Sequence, residues 1–167
     1  MPVKTPPSEP EGITWRSLMD VAFEEACKAA KDNEAPIGAA LFSVTGELIA
    51  KAHNAPICLN DPTAHAEILC LRKAAGKIGN YRLTDTIMAV TLEPCLMCTG
   101  ALIHARVAGL VIGAMDPRAG AISSNLEGHA LPFTNHSMWF INGVMEDECS
   151  SLLRRFFLER RKKRKKG

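Results

Sequence analysis

No apolar run in this 167-residue chain approaches the roughly 18 residues that a membrane-spanning helix needs. The N-terminus also lacks the charged-then-apolar order of a secretory signal, so the cytoplasm is the expected location and no membrane is expected as a partner. A second Cys-x-x-Cys is missing, which argues against a zinc ion caged by four thiolates. There is no internal repeat, which sets repeat architectures aside. Outside the one Cys-x-x-Cys, Cys27, Cys58, Cys70 and Cys149 fall at no metal-binding spacing and read as reduced core thiols of a reducing compartment.

What is present suits one soluble domain. Hydrophobic residues make up 47% of the chain and charged residues 23%. The domain is expected over residues 13–160, between a disordered arm at 1–12 that carries Pro2, Pro6, Pro7 and Pro10 and a basic tail at 161–167. The formal net charge of +2 hides an asymmetry. The run Arg160-Arg161-Lys162-Lys163-Arg164-Lys165-Lys166 holds 7 of the 20 basic residues, leaving 13 basic against 18 acidic elsewhere. A polyanion would be attracted most strongly there, because phosphate contacts release counterions. A solvated tail without a partner is the alternative.

The chemistry lies in two short segments, His65-Ala66-Glu67 and Pro94-Cys95-Leu96-Met97-Cys98. Cysteines three apart lie about 60° apart on a helix, so Cys95 and Cys98 can grip one ion. Pro94 fits a helix start, where the N–H it lacks would be unpaired anyway. The positive end of that helix, with a cation beside it, favours both thiols as thiolates. His65 would be the third ligand as a neutral imidazole, its other ring nitrogen held by an acceptor. Three protein ligands leave the fourth tetrahedral position of zinc open to water, which makes the site hydrolytic rather than structural. On a regular helix His65 and Glu67 would point roughly 200° apart. The pair is therefore expected in a first turn that is not yet fully helical, after Asp61-Pro62-Thr63, with the helix beginning near Thr63 or Ala64. From there Glu67 can take a proton from the activated water, pass it on, and later protonate a departing amine. Either segment alone has other readings, a chance His-x-Glu or a redox dithiol at Cys95 and Cys98. The dithiol reading is weakened by the missing aromatic and Gly-Pro surroundings and by the nearby His-x-Glu.

The periodicity predicts a helix from Trp15 to about Asn33 with Leu18, Ala22, Ala26 and Ala29 on one face. Strands over Ile37 to Val44 and Glu47 to His53 meet around Thr45-Gly46. A helix from Ala64 to about Lys77, a strand from Thr86 to Leu92, a helix from Cys95 to Arg106 and a strand from Val107 to Ala114 follow. A strand within Met138 to Val144 and a helix from Glu146 to about Arg161 complete the set. This order predicts an α/β protein with three layers, α/β/α, around a central mixed sheet of about five strands.

From Glu34 to Arg161 the sequence resembles the cytidine deaminase superfamily, and within it the bacterial tRNA adenosine deaminases. The segment Asn60 to Glu67 is shared with guanine deaminases. More discriminating are Asn80-Tyr81-Arg82-Leu83, Thr91 to Cys95, Gly100 to Arg106, Gly113 to Asp116, Gly120-Ala121 and Phe156-Phe157 before a basic helix. The resemblance implies a cytidine deaminase-like fold, one zinc ion per subunit on His65, Cys95 and Cys98, and Glu67 as proton shuttle. It implies hydrolytic conversion of adenosine to inosine at the wobble position (34) of a tRNA anticodon loop, with ammonia released, by a homodimer. It also places Asn54 against the bound nucleotide and Asp116 near the RNA. Read on their own residues, Asn54 is better explained as an ordinary turn residue ending a strand, and Asp116-Pro117 as a turn signal. Phe156 could stack on an unpaired base while Arg160 and Arg161 meet phosphate, but Phe156 and Phe157 also suit a core, expected for at least one of them. His104 reads as a packed or supporting histidine. The segment Ile122-Ser123-Ser124-Asn125 departs from the family's small, glycine-containing pattern, and Leu131 to Asn135 is not a close match. Two other readings stay open: a deaminase of free bases or nucleosides such as guanine or cytosine, and a noncatalytic RNA-binding subunit with a structural zinc.

Overall fold

A computed structural model describes residues 4–165. Residues 1–3 of the expected arm and 166–167 of the expected tail lie outside the described residues. Helix α1 spans Trp15–Lys31 and starts at Thr14, whose side chain accepts the Ser17 N–H at 3.1 Å while Ser17 Oγ accepts the Thr14 N–H at 3.2 Å. Strands β1 (Gly38–Ser43) and β2 (Leu48–His53) form the expected hairpin, and Gly46 turns it at φ 86°. After the short α2 (Pro56–Leu59) come α3 (Ala66–Ile78), β3 (Thr86–Leu92), α4 (Leu96–Ala105), β4 (Gly109–Ala114), β5 (Trp139–Ile141) and α5 (Glu146–Arg164).

The sheet runs in the order β2-β1-β3-β4-β5, antiparallel on either side of β1 and parallel from β3 to β5. Successive residues alternate between two cores, as strand geometry demands. Ala39, Leu41, Met88, Val90, Leu110 and Ile112 join Cys70, Leu71 and Ala74 of α3 and Leu102 and Ile103 of α4. Ala40, Phe42, Ile87, Ala89 and Val111 face Leu18, Met19 and Ala22 of α1 and Cys149 of α5. Helices therefore cover both faces in the expected three layers. Contact is tightest at Gly38, where a Cβ would lie 2.0 Å from the Ala22 carbonyl oxygen, so only glycine lets α1 cross there.

Four local features differ from expectation. Helix α3 begins at Ala66 because Asp61 Oδ1 accepts both the N–H (2.8 Å) and the hydroxyl (2.7 Å) of Thr63, closing a turn that helix could not share. The unexpected α2 has Pro56 in its first turn, and its Cys58 N–H is bound at 2.7 Å by the buried Glu34, a partner distant in sequence. Strand β5 keeps only three residues, because Gly143 and Met145 adopt positive φ. Helix α5 continues through Arg164, so the first four residues of the expected tail are helical. Of the scattered thiols, Cys70 and Cys149 are buried and Cys27 is half-buried, but Cys58 is exposed and belongs to no core.

Candidate active site

Two helix starts face each other at the C-terminal edge of β3 and β4. His65 is the N-cap of α3 (φ −73°, ψ 153°) and Cys95 the N-cap of α4 (φ −72°, ψ 173°), both in extended backbone, and Cys98 is buried in the first turn of α4. Pro94 precedes the cap rather than occupying the first helical position. His65 Nδ1 lies 3.6 Å from Cys95 Sγ and 3.6 Å from Cys98 Sγ. Nitrogen at about 2.0–2.1 Å and sulfur at about 2.3 Å from a tetrahedral zinc would be about 3.5 Å apart. The donor set therefore fits zinc in both chemistry and spacing. Nδ1 faces the sulfurs, which leaves Nε2 for the outside acceptor.

The electrostatics point the same way. Hydrogen bonding from Cys98 and His65 pulls the Cys95 thiol down to about 4. Donation to Cys95, together with burial, pushes Cys98 up, and the hydrogen bond to Cys95 raises His65. A dication held by these groups would keep both sulfurs as thiolates.

Glu67 is 3% exposed, in the first turn of α3. Burial pushes its carboxyl up to about 7, against the pull of His65. Because His65 is outside the helix, the 200° separation of a regular helix does not apply, and both side chains reach one place. A carboxyl titrating near neutrality can both accept and return a proton.

Asn54 follows β2 and is 4% exposed. Its Oδ1 accepts the Ala66 N–H at 2.8 Å, satisfying a free donor at the start of α3. Asp116 is half-buried on the loop after β4, its Oδ1 accepting the Arg118 N–H at 2.9 Å. Phe156, Arg160 and Arg161 are not brought to the metal cluster. They lie on α5, across the sheet from α3 and α4, with Phe156 half-buried and both arginines exposed. Phe157 is 41% exposed and neither phenylalanine joins a core, contrary to the expectation for at least one. Their rings meet edge-on at 5.3 Å, and the Arg160 guanidinium stands 5.8 Å from the Phe156 centroid. His104 is exposed in the last turn of α4, neither packed nor beside the ligands. Glu93, which appears in the sequence only as part of the Thr91 to Cys95 motif and without a role, is 3% exposed and binds the loop carrying Asp116; its partners lie more than twenty residues away, so its task has no local signal.

Comparison with known proteins places this geometry. The pattern described as the cytidine and deoxycytidylate deaminase zinc-binding region matches residues 14–114. A tRNA-specific adenosine deaminase of Haemophilus influenzae is 43% identical over 89% of this chain and 86% of its own length. A solved structure from work on A-to-I editing by tRNA:A34 deaminases at the wobble position superposes with a TM-score of 0.79 and 39% identity, over 82% of this chain and 99% of that one. A guanine deaminase structure from Nitrosomonas europaea, with a TM-score of 0.75 and 24% identity over 93% of this chain and 95% of that one, shares the fold. The chain belongs to the cytidine and deoxycytidylate deaminase zinc-binding family, and within it to the tRNA-specific adenosine deaminases.

Proposed function

We propose that this protein deaminates adenosine to inosine at position 34 of a tRNA anticodon, consuming one water and releasing one ammonia per turnover. The observation that carries the chemistry is the 3.6 Å spacing of one imidazole nitrogen from two sulfurs, with the buried Glu67 two residues from that imidazole. One zinc per subunit would supply a Lewis acid that brings the pKa of water from about 15.7 to about 7. Glu67 takes the proton that the water gives up and delivers it to the purine ring as the oxygen adds to C6. It then takes the hydroxyl proton of the C6 adduct and hands it to the amine, which leaves as ammonia while the C6 carbonyl of inosine forms.

Asn54 is positioned to offer its Nδ2 hydrogens to the nucleotide, since its Oδ1 is committed to Ala66. An adenine must leave its stack to reach such a site, at a cost on the order of a few kcal/mol that is least in a loop. Asp116 lies at the rim, and the exposed Arg160 and Arg161 with the half-buried Phe156 form a cationic and aromatic strip suited to phosphate and unpaired bases. A homodimer is supported by the apolar groove between α3 and α4, lined by Ile68, Leu71, Ala75, Leu83, Ala101 and Ala105. A tRNA substrate supports a cytoplasmic location; no helix among the described residues is long and apolar enough to cross a membrane.

The fold shared with guanine deaminase keeps a second reading, deamination of a free base, in view. Incubation with tRNA, and separately with guanine, cytosine and their nucleosides, distinguishes them. Inosine in tRNA with no ammonia from the small substrates is expected; the reverse pattern overturns the tRNA reading.

A further inference from the structure

Glu93 binds one loop from several directions at once. Its carboxylate accepts backbone N–H groups of Asp116 (3.0 Å), Ile122 (3.1 Å), Ser123 (2.8 Å) and Ser124 (2.9 Å), and the Ser124 hydroxyl as well. At Gly120 a Cβ would lie 2.0 Å from Glu93 Oε2, so the loop wraps the carboxylate at a point that admits no side chain. The residues that follow Glu93 are tied to the same loop. Pro94 O accepts the Ala121 N–H at 2.9 Å, and Cys95 forms a backbone bridge with Gly120. One side chain thus joins the start of the helix that bears two metal ligands to the rim that bears Asp116.

The charge on Glu93 matters here. Four backbone N–H groups and one hydroxyl point at its two oxygens, an arrangement suited to a carboxylate, which only accepts. A neutral amide would offer one acceptor oxygen and turn an NH2 against the remaining donors. The Ser124 hydroxyl adds a donor from a side chain.

We propose that Glu93 is a positioning residue for substrate capture, fixing the 116–124 rim against the 94–95 turn so that the RNA around the target adenosine meets Asp116 in a single geometry. Among the described residues its carboxylate hydrogen-bonds the 116–124 loop and not His65, Cys95 or Cys98. This rests on the tRNA reading above, and it adds a residue that sets affinity without taking part in proton transfer.

Glu93→Gln and Ser124→Ala, purified with zinc, test it through bound metal, amide exchange over residues 116–125, and kcat and KM on tRNA. In Glu93→Gln, zinc content stays at the wild-type level, rim exchange speeds about tenfold or more, and KM rises about tenfold while kcat stays within about threefold. Ser124→Ala shows the same split at about two- to fourfold. Unchanged rim exchange and KM in zinc-loaded Glu93→Gln overturn the inference, as does a loss confined to kcat. Should Glu93→Gln not fold, Ser124→Ala decides on the same two readouts. A wild-type enzyme inert on tRNA would refute the substrate reading, whereas rim exchange in the variants still decides whether Glu93 positions the loop.

Discussion

Asn54 Oδ1 accepts the Ala66 N–H at 2.8 Å, and through that bond the end of β2 holds the start of α3, where His65 is the N-cap. The oxygen of the carboxamide supports the helix, and in the function proposed above the nitrogen is the part that meets the nucleotide. Asn54→Asp keeps the acceptor and removes the donor, so its thermal midpoint should stay near wild type while turnover on tRNA falls about tenfold or more. Asn54→Ala removes both and should lose about 1–2 kcal/mol of stability as well as activity. Melting curves beside initial rates read the two effects separately. Equal losses of stability in both variants would show that the oxygen has no capping role.

Glu67 is buried beside the metal ligands without being one of them. Glu67→Gln keeps the shape and the burial but cannot exchange a proton. Zinc content by atomic absorption should equal wild type, and kcat should fall by about 10²–10⁴ with KM little changed. Full turnover in a zinc-loaded variant would refute the shuttle.

The metal trio was readable in the linear chain because two of its members sit three residues apart and the third precedes a glutamate by two. The alternation of Ala39 to Phe42 and of Ile87 to Val90 between two cores was readable for the same reason, a period contained within one element. What escaped depends on distant partners. Helix α3 starts later than its sequence suggests because Asp61 closes its own turn onto Thr63, and α2 leaves no sequence signal because its supporting carboxylate comes from Glu34. Glu93 stood inside the discriminating Thr91 to Cys95 motif, but its task was not legible there because every donor it binds lies beyond Ala114. Phe156 and Phe157 were assigned partly to the core because an aromatic pair on a helix usually faces inward. Here α5 runs past the sheet, and the pair packs edge-on with itself.

Arg160 and Arg161 are both exposed near the end of α5. If they meet phosphate, replacing both with alanine should weaken tRNA binding at low salt and flatten the dependence of log affinity on log salt by about 0.7–0.9 per arginine. Titration of fluorescent tRNA at several salt concentrations gives that slope. The metal content and the thermal midpoint should not move, since neither side chain takes part in the core. An unchanged slope would assign the basic run to solvent.

Glu25, 4% exposed on α1, binds Lys28 Nζ at 2.6 Å and His53 Nδ1 at 3.0 Å, with Lys51 Nζ at 3.5 Å. Burial pushes its carboxyl up, but His53, Lys28 and Lys51 together outweigh that and hold it below its ordinary value of 4.5. The native state therefore binds fewer protons than the unfolded chain in the acid range. The stability Glu25 contributes is complete above the unfolded value and is lost as pH falls through the folded one. Glu25→Gln should accordingly be less stable than wild type at pH 7, and the gap should close as pH drops below about 4.5. Urea unfolding of both proteins across pH 3 to 8 tests this; a gap that widens toward acid would mean that the ion cluster opposes folding.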